Sequence, residues 1–419
     1  MTGNPPGEAR PARALQRQGA RASGLRQHNL STLLERLHFY GPASRSELGA
    51  ATGLNRSTIA DLVQQLVTLN LVLEDGVSIS TGPGRPSPIV HVRPSGAVVV
   101  AIELAVDSVA VATIGLGGRV FDQVRAELPR GQSSPVETVQ KVAGLVRSLL
   151  AFLPDDHSLT GVGVAIAGLA RRSDGFVHLA PNLGWKDVPV STMLADALDQ
   201  PVGRVRVANE ADLGALGEHR RGAGRGVDNL IFISGEVGIG AGLIIGGRPM
   251  LGAAGYAGEA GHMLVNPDGQ HCQCGARGCW ETEAGELALL RAAGSADASG
   301  LAAVDAVVGR LGGGDRVALD AVSQIGHWLG VGVGGLINLL NPDVVVLGGM
   351  FQRLFNYLRD PMLAAVHDQA LEAASELATV VPSDLGTSAQ LLGAGELSLS
   401  EIVANPSGFP RTSMPRRPK

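Results

Sequence analysis

The chain contains few cysteines, few aromatic residues and few charges. Of its 419 residues only three are cysteine, 3% are aromatic and 17% are charged. A framework of several disulfides, as in small secreted proteins, is therefore excluded. Because aromatic rings are scarce, the core has to be built from aliphatic side chains, and the length allows two to three domains.

Long apolar runs are missing as well. No run is long enough to cross a membrane as a helix without interruption by glycine or charge. The N-terminal segment lacks the apolar stretch of a secretory signal peptide. Together with reduced cysteines, these absences predict a cytoplasmic protein without a membrane partner.

The charge is distributed unevenly along the chain. Residues 1–93 contain ten arginines, no lysine and six acidic residues, whereas residues 94–419 contain 24 basic and 33 acidic residues. A basic N-terminal module on an acidic body is typical of a nucleic-acid-binding domain attached to a domain of another kind.

Residues 25–93 have the pattern of a winged helix-turn-helix domain. A capping box that begins at Ser44 opens a short second helix. Asn55 caps a third helix, in which apolar residues follow the spacing of one buried face. Two predicted strands then form a wing, and residues 1–24, rich in Pro, Gly, Ala and Arg, predict a disordered arm.

The predicted DNA contacts lie at three places in this domain: the second helix, the first turn of the third helix and the tip of the wing. An arginine at a wing tip suits the minor groove or a phosphate, and the first turn of a recognition helix meets base edges. Short helix trios also bind proteins, but here capping, wing and charge all favour operator DNA as the partner. The residues are Arg45, Asn55, Arg56, Ser57, Thr58 and Arg85.

All three cysteines lie close together, at Cys272, Cys274 and Cys279. The first two are too close in sequence for their thiolates to share one helical face, so the segment is predicted to be a loop. Gly275 and Gly278 can supply the positive φ angles of such a loop. Three thiolates leave one position of a tetrahedral zinc site open, and two histidines nearby are candidates for it.

The wider motif is E-x-G-H followed by C-x-C-G-x-x-G-C-x-E, between Glu259 and Glu281. It resembles the ROK family of sugar kinases and sugar-responsive repressors. Of the two candidate histidines, His262 and His271, the resemblance implies His262 as the fourth ligand of one structural zinc ion per chain. The second ring nitrogen of His262 would then be free to face a ligand.

The resemblance also implies the fold. The expected class is α/β: an N-terminal winged helix-turn-helix domain, followed over residues 97–404 by an actin/hexokinase-like domain of two lobes with a zinc knuckle. Two predicted units, each a β-hairpin followed by a helix, agree with this expectation. Residues 405–419 are expected to form a disordered tail.

A sugar-binding site is implied by the same resemblance. The segment Pro181-Asn182-Leu183-Gly184-Trp185 is similar to the P-N-L-x-W segment that lines the sugar cleft of family members. Carboxylates and amides suit a polyol, because they pair with its hydroxyl groups. The expected sugar-binding residues are Asn182, Asn209, Glu210, Glu259, His262 and Glu281.

The motifs for phosphoryl transfer depart from those of kinases. Residues 103–107 replace the phosphate turn D-x-G-G-T and end in Asp107, and residues 235–240 replace T-G-T-G-x-G and include Glu236. Both carboxylates would repel phosphate. Glu210 takes the position of the general base of N-D-x-N, one methylene longer, which displaces the carboxylate. We therefore expect no ATP binding and no catalysis.

These expectations define a DNA-binding repressor of sugar-utilisation genes, controlled by a sugar or sugar derivative and assembled as a homodimer or a dimer of dimers. One alternative is an active sugar kinase that carries a DNA-binding domain. Another is a DNA-binding scaffold regulated by a phosphotransferase protein.

Overall fold

A computed structural model of the chain describes residues 22–75, 88–130, 134–153, 157 and 159–408. Within these ranges, a small domain with a three-stranded sheet is followed by two α/β lobes, each built on a five-stranded sheet. The predicted fold class is confirmed. None of the helices in these ranges has the length and apolar character needed to cross a membrane.

The small domain is a winged helix-turn-helix. Its sheet has the strand order β1-β3-β2, so the structure adds one short strand to the two predicted for the wing. The tip of the wing, including Arg85, lies outside the described residues. The elements are α1 Ala22–Tyr40, β1 Ala43–Ser44, α2 Arg45–Thr52, α3 Arg56–Thr68, β2 Val72–Asp75 and β3 Ile89–Val92.

Both predicted helix caps are present. The Ser44 hydroxyl accepts from the Glu47 N–H at 3.2 Å, and the Glu47 carboxylate accepts from the Ser44 N–H at 2.7 Å. Asn55 accepts from the Thr58 N–H at 2.9 Å. Because α1 begins at Ala22, its first residues belong to the segment predicted as a disordered arm.

The first lobe has strand order β11-β7-β4-β5-β6, in which β4 is antiparallel to β5 and parallel to β7. These central strands are buried on both faces, which explains their continuous apolar sequences. A small sheet of β8, β9 and β10 was not predicted. The elements are β4 Val98–Leu104, β5 Ser108–Gly115, β6 Arg119–Glu127, α4 Pro135–Leu150, β7 Leu159–Ile166, β8 Leu169–Arg171, β9 Phe176–Ala180, β10 Trp185–Val188, α5 Val190–Leu198 and β11 Val205–Asn209.

The second lobe has strand order β14-β13-β12-β15-β16. The chain enters it through α6 and leaves it through α13, which returns to the first lobe. The elements are α6 Glu210–Arg221, β12 Leu230–Gly235, β13 Ile239–Ile245, β14 Arg248–Pro249, α7 Trp280–Ala284, α8 Glu286–Ala292, α9 Leu301–Gly312, α10 Arg316–Leu340, β15 Val344–Gly349, α11 Met350–Gln369, α12 Glu372–Ser375, β16 Thr379–Pro382 and α13 Ala389–Ala404.

Helices α6 and α13 lie between the two sheets. Gly242 on β13 lets α6 approach the second lobe, since a Cβ there would lie 2.1 Å from a carbonyl oxygen of α6. Gly163 on β7 lets α13 approach the first lobe, since a Cβ there would lie 1.9 Å from a carbonyl oxygen of α13. At Gly393 of α13 a Cβ would lie 1.8 Å from a carbonyl oxygen of α6, so the two helices pack backbone to backbone.

The winged helix-turn-helix domain packs directly on this helix pair. Buried Leu30 and Leu37 of α1 belong to the same hydrophobic cluster as Leu399 and Ile402 of α13. Beyond α13, the side chain of Asn405 accepts a hydrogen bond from Gln27 at 2.7 Å. The beginning of the segment predicted as a disordered tail therefore contacts the N-terminal domain.

Candidate functional site

The predicted metal ligands come together. The ligand atoms of His262, Cys272, Cys274 and Cys279 all lie within 4.8 Å of one another. The Cys272 Sγ is 3.7 Å from His262 Nδ1, and the sulfurs of Cys274 and Cys279 are 3.6 Å apart. Zn–S bonds of about 2.3 Å in a tetrahedron place two sulfurs about 3.8 Å apart, so the cluster has the geometry and chemistry of a metal site.

The loop that carries the cysteines has the conformation expected from its glycines. Gly275 has a φ of 94° and Gly278 a φ of 71°. A Cβ at Gly278 would lie 1.7 Å from the carbonyl oxygen of Asn266, so no larger residue fits there. His271, the other candidate ligand, is exposed and lies beside Arg277 instead, at 2.9 Å.

His262 connects this cluster to two of the predicted sugar-binding carboxylates. Its Nδ1 faces Cys272, and its Nε2 is 3.9 Å from the Glu259 carboxylate. Glu281 lies 3.6 Å from Nδ1 and 3.0 Å from the Cys272 sulfur. The Glu259 side chain is therefore partly exposed beside Nε2, whereas Glu281 borders the histidine–cysteine cluster itself.

Asn209 and Glu210 lie where β11 ends and α6 begins. The Asn209 amide caps α6, accepting from Ala211 at 2.7 Å, and donates to the Gly168 carbonyl at 3.1 Å. Among the described residues, the Glu210 Oε2 is buried without a hydrogen-bond partner. Burial, then Glu236 and Glu103, raise the pKa of Glu210 well above its usual range.

Asn182 lies half-buried in the turn Pro181–Leu183. Within the described residues its side chain makes no hydrogen bond to the other predicted sugar ligands. The structure thus brings both Glu259 and Glu281 within 4 Å of His262, at 3.9 Å and 3.6 Å.

Asp212 is a residue that the sequence interpretation did not select. It is buried in the first turn of α6. Burial raises its pKa to about 7, Arg172 opposes the rise, and Glu259 adds to it. The signal for Asp212 was the N-E-A-D segment, where it replaces the last residue of the kinase motif N-D-x-N.

A cavity of 480 Å³ lies between the lobes, where the two hairpin turns meet. Its lining includes Glu103 and Asp107 from the β4–β5 hairpin and Glu236 from the β12–β13 hairpin. Glu103 pairs with Arg125 at 2.7 Å. Burial, then the neighbouring Glu103 and Asp107, raise the pKa of Glu236 to about 7. Carboxylates thus lie at both turns that correspond to the phosphate turns of kinases. Within the described residues, Glu236 forms no ion pair.

The predicted DNA contacts have different surroundings. Arg56 and Ser57 are exposed at the start of α3, and Thr58 is half-buried. Asn55 is engaged in capping and accepts from the Ser57 hydroxyl at 2.8 Å. Arg45 forms a two-pronged ion pair with Glu74 of β2.

A winged helix-turn-helix domain is joined here to a two-lobed actin/hexokinase-like domain, with a cluster of one histidine and three cysteines beside the cleft. This combination defines a class of protein in which DNA binding and a sugar-kinase fold share one chain. Residues 99–401 match the model of the ROK family, and the chain belongs to that family.

Relatives of two kinds are similar to the chain. The xylose repressor of Bacillus subtilis (strain 168) is 30% identical, with 90% of this chain and 96% of the repressor covered. A solved ROK family transcriptional regulator, described as a homolog of the E. coli MLC protein, has a TM-score of 0.75 at 24% identity and covers 91% of this chain and 97% of its own. It shows the fold.

The glucokinase of Streptomyces griseus, solved with glucose and AMPPNP, is 27% identical with a TM-score of 0.61. The alignment covers 72% of this chain and 98% of the glucokinase. The similarity to the repressor therefore extends over more of the chain than the similarity to the kinase.

Proposed function

We propose that this protein is a sugar-responsive transcriptional repressor, working as a homodimer in the cytoplasm. Its winged helix-turn-helix domain, residues 25–93, binds operator DNA, and its ROK domain, residues 97–404, binds the effector sugar. The observation that carries the proposal is the combination of an exposed recognition-helix start with a sugar-type cleft whose phosphate turns carry carboxylates.

On the DNA side, Arg56 is exposed and can reach base edges, because α3 buries its opposite face in the domain. Ser57 is also exposed, but its hydroxyl would have to leave Asn55 to contact DNA. A two-fold dimer would place two such helices on the two half-sites of an operator. Arg45 would have to leave Glu74 to bind a phosphate. Its contribution to DNA affinity is therefore the free energy of the new ion pair minus that of the ion pair with Glu74.

On the sugar side, Glu259 and His262 Nε2 offer polar atoms at the surface of the cleft. Zinc held by His262, Cys272, Cys274 and Cys279 would fix the loop and the orientation of the imidazole ring, so that Nε2 faces the sugar. The ion has a structural role in this proposal. Asp212 adds a further carboxyl beside Glu259.

The absence of phosphoryl transfer is part of the proposal. A triphosphate in the 480 Å³ cavity would face Asp107 and Glu236 at the two turns that bind phosphate in kinases. Arg125, Arg130 and Arg353 also line the cavity, and Arg130 lies 3.8 Å from Asp107. The proposed repulsion of phosphate therefore depends mainly on Glu236, whose pKa of about 7 leaves it partly ionised at neutral pH.

The test is a titration of the purified protein with D-xylose, D-glucose and their phosphates by calorimetry, with Mg-ATP as the parallel ligand. D-xylose comes first because of the B. subtilis relative. We expect one sugar to bind, to change the affinity for a duplex selected from a random library, and Mg-ATP to give no heat of binding. Failure of every sugar and of DNA selection would contradict the proposal.

The second candidate function is an active sugar kinase, favoured by the similarity to the S. griseus glucokinase over nearly all of that enzyme. A coupled assay of ADP formation over the same sugars separates the two. Turnover at about 1–100 s⁻¹, the ordinary range of kinases, would replace the repressor-only proposal.

A further inference from the structure

A buried polar cluster lies where the winged helix-turn-helix domain meets both lobes. It consists of His38 from α1, Arg221 from the last turn of α6 and Glu396 from α13. His38 and Glu396 are buried, with side-chain exposures of 0% and 3%, and Arg221 is 15% exposed. Buried ionised groups are strongly destabilising when they lose their partners, so this cluster constrains the relative positions of its three helices.

The hydrogen bonds of the cluster fix the His38 ring from both sides. The Gly117 N–H donates to Nδ1 at 2.9 Å, and Nε2 lies 3.0 Å from a carboxylate oxygen of Glu396 and 2.7 Å from Nη2 of Arg221. Arg221 donates to Glu396 at 2.8 Å and to the His38 carbonyl at 3.0 Å.

The three partners of His38 belong to different lobes. Glu396 lies on α13, which packs on the sheet of the first lobe, and Gly117 lies in the turn between β5 and β6 of that lobe. Arg221 ends α6, which packs on the sheet of the second lobe. The Arg221–Glu396 pair therefore spans the boundary between the lobes, and α1 rests on both sides of it.

The opposite end of α6 lies in the cleft. The helix is capped there by Asn209, and its first turn contains Glu210 and Asp212. Twelve residues of α-helix are about 18 Å long, so a single rigid element connects the cleft to the DNA-binding domain. Its last turn also holds α1 through Arg220, whose guanidinium lies 4.3 Å from the centre of the Phe39 ring.

Glu218 keeps this end of α6 attached to the second lobe. The fully buried carboxylate accepts from the Leu385 N–H at 3.0 Å and from the Ser383 hydroxyl, both after β16. Arg221, three residues further along α6, is therefore tied to the second lobe at its own helix, while it bonds to Glu396 and Gly117 of the first.

We propose that the His38–Arg221–Glu396 cluster couples closure of the lobes to the position of the DNA-binding domain, so that sugar binding reaches the operator through α6. The inference rests on the function proposed above. Closure changes the angle between α6 and α13, and His38 cannot keep its partners on both helices unless α1 moves. The displaced α1 then alters the spacing of the two recognition helices in a dimer.

The test separates coupling from binding. In His38→Asn the shorter side chain keeps an acceptor for the Gly117 N–H but no longer reaches Glu396, and the Arg221–Glu396 pair remains. Sugar affinity is measured by calorimetry, operator affinity by fluorescence anisotropy with and without saturating sugar, and folding by thermal denaturation. Wild-type coupling is expected in the range of about 5- to 150-fold, and His38→Asn should reduce it towards one while both separate affinities change little.

Two further variants sharpen the result. Gln27→Ala removes a contact between α1 and Asn405, just beyond α13 and outside the cluster, and it should leave the coupling unchanged. His38→Gln, whose amide can reach Glu396 again, should restore part of the coupling. If His38→Asn does not fold, Arg221→Lys, which loses the forked contact but keeps the charge, takes its place.

The outcomes distinguish the inference from the proposed function. A wild-type protein that binds no sugar, or whose operator affinity ignores sugar, contradicts the function. A wild-type response that survives unchanged in His38→Asn or Arg221→Lys contradicts the inference alone. An equal loss of coupling in Gln27→Ala would also contradict it, since the effect would then belong to the whole interface.

Discussion

Two buried glutamates have pKa values shifted in opposite directions, which gives a matched pair of substitutions. Burial, with Glu103 and Asp107, raises the pKa of Glu236 from 4.5 to about 7. Burial alone would also raise the pKa of Glu396, but His38 and Arg221 outweigh it and hold that pKa at about 2. We predict that Glu236→Gln stabilises the protein at pH 8 and that Glu396→Gln destabilises it.

The sign follows from proton linkage. The folded state holds the Glu236 proton more tightly than the unfolded chain, so folding loses stability as the pH rises from about 4.5 to 7. A shift of this size corresponds to at most about 3 kcal/mol. Because the carboxylate borders an open cavity, we expect about 1–2 kcal/mol, absent at pH 4.5 and fully developed at pH 8.

Glu396 is the control because its folded pKa lies below its unfolded value. Its contribution is present above pH 4.5 and is lost only as the pH falls towards 2. Glu396→Gln should therefore destabilise the protein by similar amounts at pH 5 and pH 8. Loss of one partner of a buried ion pair destabilises a protein by about 3–5 kcal/mol. The effect of Glu396→Gln should be smaller, because the isosteric amide can still accept a hydrogen bond.

The assay is thermal denaturation of wild type and both variants at several pH values between 5 and 8. At pH 8 the Glu236→Gln midpoint should lie a few degrees above wild type, on a scale of about 2–4 °C per kcal/mol for domains of 150–250 residues. The difference should shrink towards pH 5. A midpoint equal to wild type at pH 8, or an identical rise at both ends of the range, would refute the electrostatic reasoning.

Three further predictions concern the metal, the operator and the sugar. Cys274→Ser should lose the bound zinc and lower the denaturation midpoint, as determined by elemental mass spectrometry beside melting curves; unchanged zinc content would contradict the ligand set. Arg56→Ala should weaken a selected operator by about 1–3 kcal/mol in anisotropy titrations if it makes a bidentate base contact, whereas equal weakening on random DNA would assign it to phosphate. Glu259→Ala should abolish the heat of sugar binding while operator affinity without sugar stays at the wild-type value, and retained sugar binding would remove Glu259 from the site.

The local parts of the fold could be predicted from the sequence. The caps at Ser44 and Asn55 and the positive φ angles of Gly275 and Gly278 depend on residues close together in the chain. The clustering of the three cysteines was also predictable from their spacing, whereas the choice of His262 over His271 came from the resemblance to the ROK family. Helix α1 begins at Ala22, within the segment predicted as a disordered arm. The prediction missed this start because the Ala-Ser-Gly-Leu-Arg segment carries no helix-start signal.

The roles within the cleft were harder to predict, since they depend on distances between lobes. Glu281 fits the motif for a sugar ligand, yet it lies 3.0 Å from the Cys272 sulfur and so borders the metal cluster. Asp212 was visible in N-E-A-D, but only burial beside Glu259 distinguishes it from an ordinary carboxylate in a first helical turn.

The junction between the domains was beyond sequence reasoning for a further physical reason. His38 lies on the apolar side of α1, next to Leu37, and Glu396 lies within a small-residue stretch of α13; neither stands in a recognisable motif. Their chemistry comes from tertiary packing, because the glycines of α6 and α13 bring two backbones into contact and leave His38, Arg221 and Glu396 to satisfy one another away from water. Each charge in that position is stable only with the others in place, so the junction constrains the orientation of the DNA-binding domain more tightly than a flexible linker could. The coupling proposed for this junction depends on that constraint, because only a domain held at a fixed position can be displaced by movement of the lobes beneath it.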